Sequence, residues 1–363
     1  VNWSWTLNLY LARRFLNAVM IVFGALVLVA FSIDVVDLFN RTPTREISGG
    51  IIVGMSLLKL GDLALKLLPF AILFGSILAF SGLARSHELV ATRAAGVSAW
   101  SFLAPPLVVA IALGVLTMTA LNPAAASLLA QYERLEAKYI RGQASQLSVF
   151  KTGLWLRQGD AKRQSVIHAL RASDQGVNLE DVIIFLYDGQ DHFAGRIDAA
   201  KAKLKSRRWH FENAWVSGPD GAPKQFTAYD LPTDLTPAQI QESFGSPDTI
   251  PFWELPRFIA NAEDAGFSTL RHQLYFYSLL MLPVLFSAMV FMAASFSLRF
   301  TRLGGVPQLV LAATLSGFGV YFLSDVTQAL GTSGILPAPL AAVAPAAMAI
   351  LLGMTLLFHK EDG

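Results

Sequence analysis

The chain has no cysteine in 363 residues, so neither a disulfide framework nor thiol chemistry can be built from it. Charge is scarce as well. Only 15% of residues are Asp, Glu, Lys or Arg, against about 25% in average soluble domains. The formal net charge is +2, and no basic patch of the nucleic-acid-binding kind is present. There is no Gly-x-x-x-x-Gly-Lys loop, so the chain is not expected to bind ATP itself. No Gly-x-Ser-x-Gly elbow marks a hydrolase nucleophile. The histidines (87, 168, 192, 210, 272 and 359) are scattered and none pairs at i, i+4 with a glutamate, which argues against a metal site. No cofactor is expected in this chain, and an enzyme with clustered acid, base or metal groups is disfavoured.

What the chain does have is long apolar runs. Phe15–Ile33, Leu67–Ala84 and Ala94–Tyr132 carry no charge, and neither do His272–Leu298, Leu303–Ser324 and Val326–His359. A bilayer-spanning helix needs about 20 such residues. The third run is too long for one span, so it includes a loop or continues as helix beyond the bilayer. The last is broken at Gly331–Pro339, leaving Leu340–Phe358 as its span. The layout is three spans, an insert, then three more. Arg13-Arg14 ahead of the first run resembles the start of a signal peptide, but no small-x-small cleavage site follows, and a retained helix is expected.

Short loops orient the spans, because cytoplasmic loops are rich in Lys and Arg. Arg13 and Arg14, Arg85 and Arg93, Arg299 and Arg302, and Lys360 all fall on one face. The loop between helices 5 and 6 has no Lys or Arg. Both termini are therefore expected inside and the insert outside.

Within the insert, Asn122-Pro123 is placed to cap a new helical turn, with helix over Ala124–Arg141. Short strands are expected at Gln146–Phe150, Leu154–Arg157, Ser165–Leu170, Val182–Tyr187, Phe193–Ala200, Trp209–Ser217 and Phe226–Leu231, punctuated by Gly and Asp turns. Many short strands suggest a sandwich, a jelly roll or a partly open barrel. Pro251–Ala265 reads as an amphipathic helix. Gly50-x-x-x-Gly54 has a helix-packing spacing.

The segment Arg85-Ser-His-Glu-Leu-Val-Ala-Thr-Arg-Ala-Ala-Gly-Val-Ser98 is short, cytoplasmic and helix-prone. Glu88 lies one turn before Thr92, Leu89 one turn before Arg93, and Gly96 is a stop signal. Such a helix between two spans can press into a groove on another protein, and it reads equally well as a solvated turn. Arg41, Arg45 and Arg134 can meet anionic head groups or phosphates, or simply anchor helix ends. Lys66 is expected to snorkel, and Tyr275-Phe-Tyr277 to sit in an interface belt.

The layout, His87-Glu-Leu-Val-Ala-Thr-Arg-Ala-Ala-Gly-Val-Ser98 and Leu336-Pro-Ala-Pro-Leu-Ala-Ala-Val-Ala-Pro345 together resemble the LptF/LptG permeases. These are the membrane subunits of the ABC transporter that takes lipopolysaccharide out of the bacterial inner membrane. Gly153-Leu-Trp155, Pro283, and Asp325 with Gly331 fit the same pattern. The tripeptide and the short C-terminal tail lean to the LptG branch over LptF. The resemblance implies a membrane α-helical fold of six transmembrane helices with both termini cytoplasmic, in a multi-pass inner-membrane protein. Residues 1–121 would hold helices 1–3, with a coupling helix at about 85–98. Residues 122–270 would form an inserted periplasmic β-rich domain resembling a β-jellyroll, and residues 271–363 would hold helices 4–6.

The resemblance also implies partners. Glu88, with Arg85, Leu89, Arg93 and Gly96 around it, would seat in a groove of an LptB-like ATPase dimer, which binds the ATP and Mg. LptF would be the homologous second permease. Helices 1 and 5 would form lateral gates, where the helix of LptC can sit, and a periplasmic bridge protein would receive the lipid. Arg134 would meet lipid phosphates. Asp34 stands where some members have a basic residue, so Arg41 or Arg45 would substitute. Two other readings remain open: a mechanotransmission-type ABC membrane subunit that moves no lipid, and a membrane-anchored periplasmic sensor.

Overall fold

The computed structural model describes residues 5–41, 48–86, 88, 99–141, 146–150, 153–159, 163–173, 177–188, 192–205, 207–219, 221–233, 246–264, 268–300 and 306–361. The chain forms two compact units. One is Val1–Tyr132 with Pro251–Trp253 and Gln273–Gly363. The other is Glu133–Ile250 with Glu254–His272.

In the first unit, α1 (Trp5–Arg41) and α2 (Gly49–Arg85) each run 37 residues. At 1.5 Å per residue each is about 55 Å long, well beyond a hydrocarbon core of about 30 Å. They pair along their length. Phe15 and Val19 of α1 pack with Ile72, Leu73 and Ile77 of α2 in the core. The close approach depends on Gly75: a Cβ there would sit 2.6 Å from the Val19 Cα. At Gly54, by contrast, a Cβ would meet nothing within 4 Å, so the Gly50/Gly54 spacing is not where these helices touch.

Helix α3 (Ala99–Leu116) passes through a π turn at Thr117–Leu121 into α4 (Asn122–Glu136), and a second π turn follows at Ala137–Arg141. The expected fresh start at Asn122 does not occur, because its backbone is helical (φ −61°, ψ −49°). Its buried side chain is used otherwise. Asn122 Oδ1 accepts from the Phe252 N–H at 2.9 Å, and Nδ2 donates to the Tyr275 hydroxyl at 2.8 Å. Pro123 brings no N–H to the Thr119 carbonyl one turn earlier. The Trp253 indole donates to that carbonyl at 3.0 Å. Phe252 also stacks on Phe276 with ring centroids 5.4 Å apart. Tyr275 and Phe276, expected in an interface belt, thus help pin Pro251–Trp253 to the third helix.

After α5 (Leu255–Asp264), α6 (Leu270–Leu280) and α7 (Leu282–Phe300) form a pair bent by 53°. Pro283 lies just past the break, where its missing N–H and its ring disrupt the helical ladder. Gly114 of α3 accommodates the bend: a Cβ there would lie 2.5 Å from the Pro283 Cα. α8 (Val306–Thr332) and α9 (Ala338–Glu361) follow, separated at the expected Gly/Pro break. Gly334 takes φ 76° there, as helix C-termini favour. Among the described residues, four single helices and the bent pair are long and apolar enough to cross a membrane. Apolar side chains lie exposed along α1 (Leu28, Ile33, Val36) and α8 (Leu315, Phe318, Phe322).

The second unit holds a seven-stranded antiparallel sheet whose neighbours follow chain order, an up-and-down meander. Its strands are β1 (Gln146–Phe150), β2 (Gly153–Gly159), β3 (Arg163–Ser173), β4 (Asn178–Asp188), β5 (Phe193–Lys205), β6 (Arg208–Ser217) and β7 (Lys224–Pro232). Each expected strand is present. One face buries Leu156, Ile167, Ile184, Ile197, Trp209 and Phe211.

Alternation slips once along a line across the sheet. Leu179 and Val182, Ala199 and Ala202, and Phe211 and Ala214 are buried three apart rather than two. The residues between face outward in register, with Glu180 opposite Lys201 and Lys201 opposite Glu212. Asp181 (φ 53°) and Asn213 (φ 54°) take the left-handed conformation on this line. An extra residue in one strand makes a bulge. The same residue added in neighbouring strands keeps the pairing, so the change of phase runs across the sheet as one crease line.

Candidate functional site

Glu88 is the candidate that the structure resolves best. α2 ends at Arg85, whose side chain is exposed. The chain then turns through Ser86, whose N–H bonds the Gly82 carbonyl at 3.1 Å. Two residues on, Glu88 meets the N-terminal part of α1. Arg14 Nη1 donates to Glu88 Oε1 at 2.8 Å and to Oε2 at 3.0 Å. The Tyr10 hydroxyl donates to Oε2 at 2.9 Å, and Arg14 also donates to that hydroxyl. Tyr10 and Arg14 are one helical turn apart, so they present neighbouring donors. Hydrogen bonds from Ser86 and then Arg14 hold the Glu88 carboxyl below its usual range. At neutral pH it is an anion facing a permanent cation, 38% and 31% exposed respectively. Gly82 leaves room for the guanidinium: a Cβ there would lie 3.3 Å from Arg14 Nη2.

Leu89, Arg93 and Gly96 fall outside the described residues, and so does Arg45. Arg41 ends α1 and pairs with Asp37 at 2.8 Å on an exposed surface. Arg134 is exposed on α4, in the second unit. Arg41, at the opposite end of α1 from Arg14, is not brought together with Glu88. Lys66 pairs with Asp62 at 2.9 Å while staying 57% exposed, a charge reaching out from a buried carboxylate.

One cluster was not anticipated. Asp34 is buried on α1 and accepts a hydrogen bond from the Ser56 hydroxyl at 2.7 Å. It also pairs with Lys59 of α2. The Lys59 ammonium lies 5.6 Å from the centre of the Tyr132 ring, within cation–π range. The signal was present in the sequence. Asp34 and Lys59 each lie two to three turns from the link joining α1 to α2, so an antiparallel pair sets them opposite each other. Among the described residues, no group of three or more His, Asp or Glu side chains could hold a metal ion.

Residues 9–359 match the model of the family described as lipopolysaccharide export system permease LptF/LptG. The match runs through the helices, the segment of Glu88 and the sheet alike. The chain belongs to the LptF/LptG family. The lipopolysaccharide export system permease protein LptG of Haemophilus influenzae is 24% identical over 366 residues, covering 98% of this chain and 99% of that protein. Long apolar helices joined to an antiparallel sheet are what this LptF/LptG permease presents, and Glu88 sits just past the end of α2.

Proposed function

We propose that this chain is the LptG-type permease subunit of an ABC transporter that extracts lipopolysaccharide from the inner membrane. The observation that carries the reading is the family match over residues 9–359, which takes in both units. In this reading the chain spans the bilayer six times with α8 as the fifth span, and both termini are cytoplasmic. In the same reading the sheet is the periplasmic jellyroll-like domain. Its meander order departs from the strand order of two Greek keys.

The chain does no bond chemistry. An LptB-like ATPase dimer binds ATP and Mg, and its closure moves the segment around Glu88. The helices carry that motion to a cavity shared with LptF. The exposed apolar faces of α1 and α8 support a role as gate helices, since such faces meet lipid or a partner helix. LptC and a periplasmic bridge protein act at the outer side. Each acyl methylene withdrawn from the bilayer costs about 0.8 kcal/mol, so extraction of a multi-chain lipid requires work from outside the permease.

The test is purification of the chain with its ATPase and second permease, followed by analysis of bound lipid and reconstituted transport. Co-purification with lipopolysaccharide is expected. Glu88→Ala should keep the chain inserted and cut coupled transport tenfold or more. Normal transport by that variant, or a chain that never associates with an ATPase, would overturn the reading.

A further inference from the structure

Glu88 is already held by its own chain. Both carboxylate oxygens accept from Arg14, and Oε2 accepts from Tyr10 as well. A carboxylate offers about four lone-pair sites, so little capacity is left for a cation from outside. We infer that Arg14 is a positioning residue that latches Glu88 to α1, and that a cationic side chain of the ATPase docking on Glu88 exchanges with Arg14 and frees the cytoplasmic end of α1. This inference rests on the reading of the Glu88 segment as the ATPase docking site.

Magnitude decides between a rigid strut and a releasable latch. Both side chains are about a third exposed. An ion pair of that kind shifts an equilibrium by about fivefold or less. That is too weak to drag a long helix against its packing, and suited to being swapped for an intermolecular pair. The neighbourhood permits the exchange, because the α2 residue beside the Arg14 head group is Gly82, which leaves it room.

The experiment uses the full chain in nanodiscs, with and without the purified ATPase subunit. Because the chain lacks cysteine, spin labels on Leu9→Cys and Leu78→Cys report only the separation of α1 from α2; both positions are exposed. The chain alone should give a narrow distance distribution that broadens or shifts when the ATPase binds. Arg14→Ala should broaden it without ATPase and tighten ATPase binding by up to about fivefold, since the internal competitor is gone. A purely structural role would not tighten binding. Arg14→Lys should restore wild-type behaviour. Arg14→Glu combined with Glu88→Arg should restore the narrow distribution but not recruitment. An Arg14→Ala distribution identical to wild type overturns the latch. A broadened distribution with unchanged or weaker ATPase binding overturns the exchange. If Glu88→Gln recruits the ATPase as wild type does, the docking reading fails, and the distances in the chain alone still judge the latch separately.

Discussion

A carboxylate in an apolar helix persists only if something answers it, and on α1 Lys59 and Ser56 answer Asp34. By resemblance alone, Asp34 was a departure that moved the head-group role to Arg41 or Arg45. In the structure it is half of a link between α1 and α2. Asp34→Ala would leave Lys59 beside Tyr132 with no anion. Breaking a buried pair costs about 3–5 kcal/mol, and Lys59 keeps some exposure, so a loss of about 3 kcal/mol is expected. Asp34→Leu with Lys59→Met should recover most of it, because no charge is stranded. Thermal unfolding in nanodiscs reads both variants; a single variant as stable as wild type would deny the link any structural role. The partner of Glu88 was far less legible than that of Asp34. Arg14 lies 74 positions away, and nothing local in either segment names the other.

Elements were more readable than pairs. Alternation and turn residues located all seven strands, and β1 has the expected ends, Gln146–Phe150. The other six strands all run longer than expected because pairing carries them past their alternating cores. The third helix was expected to continue beyond one span, and it runs to Glu136; the cap that Asn122-Pro123 offered goes unused, because tertiary partners for the Asn122 amide outcompeted it. The crease was hidden because a strand that resets its phase in step with its neighbours looks like ordinary strand locally. It rests on Asn213 and Asp181 tolerating positive φ. Asn213→Val should therefore cost about 1–2 kcal/mol, whereas Asn213→Gly should be neutral or slightly stabilising. Chemical denaturation of the full chain checks this, and equal stability of the two variants would mean that the crease relaxes without penalty.

At the scale of the whole molecule, the sequence disclosed apolar runs around a β-rich insert, because both hydropathy and alternation are repeated many times along the chain. Contacts that depend on a single pair carried no such redundancy. Arg134 belongs to this scale, since its proposed ligand is the transported lipid. It is exposed near the C-terminal end of α4. Arg134→Glu should at least halve the stimulation of ATPase activity by lipopolysaccharide in the assembled transporter, with basal turnover kept. Unchanged stimulation would return Arg134 to anchoring alone.

The bonds from Asn122 to Phe252 and from Trp253 to Thr119 join two stretches of chain that lie 130 or more positions apart. They fasten Pro251–Trp253 back onto the third helix inside the helical unit. Whatever is threaded between them is, for the bundle, a closed loop. The entropy of closing such a loop grows only with the logarithm of its length, about 0.6 kcal/mol per doubling. The helices can therefore host a longer or shorter excursion at almost constant expense, which leaves the sheet-bearing unit free to diverge while the helical frame stays the same.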